Sequence, residues 1–269
     1  MSSNAFFSSL DCAVSADIFA SCHMPGVPVT VHFIDSHSTP RHIRGMARLA
    51  RVVVPGLPHH VTQRGNGGAR TFFRDEDYAF YRDLLARYAN EAGVEVWAWV
   101  LMPNHVHLVL NPADPDGLRR ALSRIHRTYA GYVHGRQNKT GHFWQGRYGA
   151  VAMDEAHLAA ALRYVALNPV RARLAKRAQD WRWSSARAHL RGEPDGVTHL
   201  AAVRDRFARF GDLLDDSGLE SLAEDLRRAE TIGRPTGSPE FLARLEAATR
   251  RTLRRKPRGP KPASGTEAS

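Results

Sequence analysis

Three features of the 269-residue chain predict an α+β domain. Short runs rich in β-branched and aromatic residues alternate with stretches of helical spacing, two strand-like runs follow one another around Pro103-Asn104, and the 43% hydrophobic content is enough for a buried core. The order is β-α-β-β-α-β, the split antiparallel pattern of ferredoxin-like folds, with a tyrosine-bearing helix appended and a helical C-terminal extension. No run approaches the ~18 apolar residues of a membrane helix. No Lys or Arg precedes Arg41, so a secretory n-region is lacking. The only cysteines, Cys12 and Cys22, exclude a disulfide scaffold or a Cys-based zinc site in the body. A cytoplasmic protein without a membrane partner is expected.

Residues 1–45 lack useful periodicity. They read as a flexible extension, or as the product of an upstream start with Met46 the true beginning. His59–Arg64 is the first strand, ended by Gly65-Asn66-Gly67-Gly68. Asp75–Ala92 is helical, because Tyr78, Tyr81, Leu85 and Tyr88 recur on one face and Gly93 supplies a stop. Val94–Met102 is a buried strand, and His105–Leu110 is its antiparallel neighbour across the Pro103-Asn104 turn. Leu118, Leu122, Ile125, Tyr129 and Val133 form the apolar stripe of a second helix. Tyr148–Met153 is a fourth strand, and Asp154 can cap a third helix that runs to about Asn168, where Pro169 breaks or kinks it. Trp181 and Trp183 fasten the following segment to the core. Helices are expected at Asp205–Phe210, Leu219–Ala229 and Pro239–Leu253. The predicted domain limits are therefore 46–190 for the α+β domain, 191–253 for the helical region and 254–269 for a basic disordered tail.

The charge points to a polyanion. The chain carries 38 Lys+Arg against 27 Asp+Glu, and only Lys139, Lys176, Lys256 and Lys261 of those cations are lysine. Arg forks bind phosphate bidentately; codon bias in an Arg-rich genome explains the preference equally well. Distribution says more than the total. From Gly117 to Met153 there is no carboxylate, yet Arg119, Arg120, Arg124, Arg127, Arg136, Lys139 and Arg147 all fall there, which suggests a nucleic-acid footprint.

Two motifs carry chemistry. In His105-Val106-His107 the imidazoles sit at i and i+2 of a strand and share a face, which makes half of a divalent-metal site or, equally, a pair of structural histidines. Tyr164 and Asn168 are i and i+4 on the third helix, a phenol beside a neutral oxygen donor, or simply a core tyrosine near a helix end. Around them lie Arg64, Arg147, Arg163 and Arg171, with Trp144 able to stack an unpaired base. Tyr129, Tyr132 and Tyr148 are rival nucleophiles, though none has an amide at i+4 followed by proline. His59, His60, His126, His134, His142 and His157 read as non-ligands, with His142 close enough to a motif to keep in view.

Four motifs in order give the stretch Met46–Leu190 a family resemblance. They are Val61-Thr62-Gln63-Arg64-Gly65-Asn66, Leu101 through Leu108 around the His pair, Gly141 through Tyr148, and Tyr164 through Arg171. The stretch resembles the REP-associated branch of the single-tyrosine, IS200-like HUH transposases, and Gly233–Ser238 is similar to a C-terminal segment of the same proteins. The resemblance implies that His105, His107 and Asn168 bind Mg²⁺ or Mn²⁺, and that Tyr164 is the nucleophile forming a 5′-phosphotyrosine. It implies a partner of single-stranded DNA bearing hairpins or palindromic repeats, gripped by Arg64, Arg120, Arg124, Arg127, Trp144, Arg147, Arg163 and Arg171. Monomer and homodimer are both open. A catalytically silent hairpin-binding regulator and an RNA-binding ferredoxin-like domain are the competing readings.

Overall fold

The computed structural model describes residues 51–253. The expected extension at 1–45, the start at Met46 and the basic tail at 254–269 lie outside the described residues.

The element order is β1 (His59–Arg64), α1 (Asp75–Glu91), β2 (Val94–Met102), β3 (His105–Pro112), α2 (Gly117–Gln137), β4 (Gly149–Ala152) and α3 (Glu155–Arg171). The strands form one antiparallel sheet in the order β2-β3-β1-β4, as the split pattern requires. Both faces are covered. Val61, Trp99, Leu101, Val106, Leu108 and Leu110 face α1 and α2, whereas Trp97, Ala98, Val100, Met102 and Val109 face α3. A bulge between Val96 and Ala98 turns two successive residues, Trp97 and Ala98, to the α3 side. That phase change is invisible in a run whose residues are all apolar.

Helix starts follow local chemistry. Asp77 accepts from the backbone N–H groups of Phe73 and Arg74 at 2.9 and 3.3 Å, and acids fill the first turn of α1. Asp154 caps α3 by accepting from the His157 N–H at 3.0 Å. The expected stop at Pro169 is corrected: α3 runs on to Arg171 with Pro169 inside it. The ring costs one backbone donor, while N–H donation from Ala172 to Asn168 and from Leu174 to Pro169 continues the turn.

Beyond α3 come α4 (Ala186–Arg191), α5 (Leu200–Arg204), α6 (Phe210–Asp215), α7 (Glu220–Ile232) and α8 (Pro239–Thr249). The helix expected at Asp205–Phe210 is a correction as well: those residues connect α5 to α6, and only Phe210 is helical. Phe210 and Leu226 pack into the α3-side core, so α6 and α7 bury apolar surface on the sheet domain. Trp183–Ser185 runs along β2, with Leu101 donating to the Trp183 carbonyl and Ser185 to that of Trp99, both at 2.9 Å, and the Trp181 indole N–H donates to Leu101 O at 3.1 Å. At the opposite edge Thr236 bridges Met153 in parallel. Both sheet edges are thus occupied by the same chain.

Candidate active site

Register determines which side chains of β1 meet the histidine pair. Arg64 lies opposite His105, Thr62 opposite His107, and His60 opposite Val109. Directly paired residues share a sheet face, so His60, Thr62, Arg64, His105 and His107 all point to the α3 side. His60 and His107 stack with ring centroids 5.2 Å apart, and His60 Nε2 lies 3.1 Å from His107 Nδ1. The His105 and His107 rings are 4.9 Å apart, and His105 Nδ1 meets Asn104 Oδ1 at 2.6 Å.

Helix α3 brings Tyr164 onto this group. Its ring stands edge-on to His107 at 5.1 Å and to His60 at 5.9 Å. The Arg171 and Arg227 guanidinium carbons lie 5.3 and 5.7 Å from the Tyr164 ring centroid. Glu220, at the start of α7, holds these cations: it accepts from Arg163 at 3.0 Å, from Arg227 at 3.1 Å, and from Arg171. One carboxylate facing three guanidinium groups leaves a surplus of positive charge beside the phenol.

Burial keeps the imidazoles neutral. His105 is lowered to about 4 by burial and by the nearby Arg64 charge, and His60 to about 4 by burial alone. His107 is driven well below the ordinary imidazole value by burial and then by His60, His105 and Arg64. Neutral imidazoles are the form that ligates metal. Among the described residues no cluster of three or more His, Cys, Asp or Glu could hold an ion, so a metal would rest on the His105–His107 pair and non-carboxylate donors. Asn168 is buried one turn beyond Tyr164, within α3.

The residues expected to grip DNA divide into two groups. Arg120 is paired with Asp114 at 2.5 Å and Arg124 with Glu91 at 2.6 Å, while Arg163, 13% exposed, bridges Leu214 O and Glu220. The acid-free stretch is therefore acid-free only along the chain, because Glu91, Asp114, Asp116 and Asp77 fold back onto its arginines. This revises the footprint. Arg64, Arg127 and Arg147 are exposed and make no ion pair among the described residues. Trp144 is only half-exposed. Its indole N–H donates to His126 O at 3.0 Å and its ring packs on Phe143 and His126, so it anchors the loop to α2.

Sequence reasoning passed over His60, Arg227 and Glu220. Two adjacent histidines on β1 give no sign of which one faces the site until the register is known. Arg227 and Glu220 lie on a helix more than fifty residues past Tyr164, with no motif to connect them. Of the rival tyrosines, Tyr129 is fully buried with its hydroxyl donating to Thr71 O at 2.9 Å, and burial drives its pKa far upward.

The split antiparallel sheet thus presents an imidazole pair to a helix-borne phenol flanked by arginines. Residues 67–168, which span His105, His107, Tyr164 and Asn168, match the family model described as "Transposase IS200 like", and this bears out the resemblance read from the motifs. Among solved structures the chain is similar to a REP-associated tyrosine transposase bound to a REP hairpin, at 21% identity and a TM-score of 0.47, covering 56% of this chain and 90% of that one. It is also similar to a proposed transposase from Deinococcus radiodurans, at 25% identity and a TM-score of 0.30, covering 44% and 94%. No curated protein matches the chain. No helix among the described residues is long and apolar enough to cross a membrane.

Proposed function

We propose that this protein is a strand-transfer enzyme acting in the cytoplasm on single-stranded DNA that carries hairpins, and that it works through a covalent 5′-phosphotyrosine at Tyr164. The observation that carries this reading is the placement of the Tyr164 ring 5.1 Å from His107 within one chain, with two guanidinium groups beside it.

The phenolic oxygen attacks phosphorus. A Tyr–O–P bond forms, the P–O3′ bond breaks, and the 3′ oxygen takes up a proton, so that Tyr–OH and a phosphodiester give Tyr–O–P and a free 3′-OH. The covalent link conserves the bond energy, and the 3′-OH of a second strand reverses the step without a nucleotide cofactor. An ordinary tyrosine has a pKa near ~10 and is a weak nucleophile at neutral pH. Arg171 and Arg227 counter the negative charge that accumulates during attack. His60 orients His107 through the Nε2···Nδ1 contact, as outer partners of ligating imidazoles do. His105 and His107, with Asn168 as a further donor, would hold Mg²⁺ or Mn²⁺; two imidazoles and an amide form a neutral set that suits Mn²⁺ better. When bound, such an ion polarises a phosphate oxygen and offsets charge on phosphorus.

Incubation with hairpin DNA and Mn²⁺ tests the reading. Wild type is expected to form a denaturant-resistant adduct that mass spectrometry places on Tyr164, and Tyr164→Phe is expected to bind the hairpin without forming one. If both bind and neither forms an adduct, the protein is a silent hairpin-binding regulator. Equal competition by an RNA hairpin would favour the RNA-binding reading.

A further inference from the structure

Phe73 and Leu174 are the large hydrophobic side chains exposed among the described residues, at 39% and 41%, and both line one groove of about 410 Å³. Its floor is aromatic. Tyr78 stacks on Trp183 at 5.1 Å and meets Trp181 edge-on at 6.2 Å, and the Trp181 indole is tied to Leu101 O. The floor is thus rigid, while the two exposed side chains form open lips above it. Exposed apolar side chains gathered at one place and rimmed by charge mark a binding surface more often than scattered ones do.

The rim carries Arg70, Arg74 and Arg182 against Asp75 and Asp180. Arg182 is paired with Asp75 at 2.9 Å, Arg74 with Glu76 and Asp77 at 3.5 Å, and Asp180 with Arg177 at 3.0 Å. Arg70 donates to Phe72 O at 2.6 Å and has no carboxylate among the described residues. An apolar partner would gain nothing from that cation. A flat aromatic ring with a phosphate attached uses both the lips and Arg70.

The segments that carry the two lips are tied to elements of the candidate active site. Thr71 and Phe72 donate their backbone N–H groups to Pro103 O at 2.8 and 3.1 Å, and the Asn104 side chain donates to Gly68 O at 3.0 Å, so the loop that carries Phe73 is docked beside His105. On the other side, Leu174 follows Arg171 by three residues, and its N–H donates to Pro169 O at 2.8 Å.

We propose that this groove binds an unpaired nucleobase of the DNA strand flanking the cleavage point, with Phe73 and Leu174 against the base and Arg70 on its phosphate. The proposal rests on the DNA substrate assigned above and adds residues that none of the four sequence motifs singles out for DNA.

The test uses two probes with the full-length protein: a blunt hairpin, and the same hairpin with single-stranded flanks. Phe73→Ala and Leu174→Ala are expected to weaken binding of the flanked hairpin about tenfold, in line with the loss of one base stack, and to leave the blunt hairpin unaffected. Phe73→Trp should retain flank binding, and thermal melts should show that all three variants fold. Equal weakening for both probes, no weakening for either, or a change of oligomeric state on removing Phe73 would overturn the proposal. The adduct assay separates the two readings. A wild type that forms the Tyr164 adduct while its Phe73→Ala variant shows no flank effect leaves strand transfer standing and removes the groove. A flank effect without any adduct does the reverse.

Discussion

At the scale of single residues, buried imidazoles make stability depend on pH. His126 is buried on α2 with Nε2 3.0 Å from the Tyr81 hydroxyl, and burial together with the Arg51 charge lowers it to about 3. Its rings of contact are Tyr81, Trp144 and Tyr148, none of which offers a counter-charge. The unfolded chain, with an imidazole near ~6.5, takes up the proton first as pH falls. Folding stability is therefore full above that value and is lost as pH drops from about 6.5 toward 3, by about 1.4 kcal/mol per pH unit for this group. His59, lowered to about 4 by burial, adds to the same slope. Urea unfolding at several pH values should show stability falling steeply below pH 6, and His126→Gln should reduce the slope between pH 6 and 4 by about one proton. An unchanged slope would mean that the folded protein protonates His126 at no cost.

At the scale of elements, α2 shows how charge counted along a chain misleads. Its apolar stripe was legible, and Leu118, Leu122, Ile125, Tyr129 and Val133 are all fully buried. Its arginines looked alike in sequence, yet Arg124 is spent on Glu91 of α1 and on the Tyr88 ring at 4.2 Å, whereas Arg127 is exposed without an ion pair among the described residues. The two should part experimentally. Arg127→Ala, like Arg147→Ala, is expected to weaken hairpin binding and to lower the slope of log K against log salt by about one. Arg124→Ala should leave that slope nearly unchanged and cost little stability, as loss of an exposed pair does. Titrations at several salt concentrations check both. The loop after β1 makes a different point. A Cβ on Gly65 would collide with the Ala69 carbonyl oxygen, so only glycine lets this loop fold back against Pro103 and Asn104 beside the histidine pair.

At the scale of the whole molecule, the site closes within one chain. The α3 helix packs on the sheet that carries its own histidine pair, and segments of the same chain occupy both sheet edges, so no partner is needed to bring Tyr164 to His107. Mixing Tyr164→Phe with His107→Ala should therefore give no adduct. Recovery of adduct in the mixture would show that the tyrosine helix is exchanged between two copies. The α7 helix belongs to this same assembly, since Arg227 reaches the tyrosine ring, and Glu220 pairs with Arg227, from well past the stretch of IS200-like similarity.

The sequence by itself determined the element order, because each strand and helix of the sheet domain has a local period, cap or turn that stands without its neighbours. It also determined the two candidate motifs, because spacings of two on a strand and four on a helix place side chains on one face whatever surrounds them. Tertiary structure alone decided the rest: the bulge at Trp97, the continuation of α3 through Pro169, the choice of His60 over His59, and which arginines remain unpaired. Each of these depends on groups that meet only after the sheet has taken its register and distant helices have docked. Contact between residues far apart in the chain leaves no period to read.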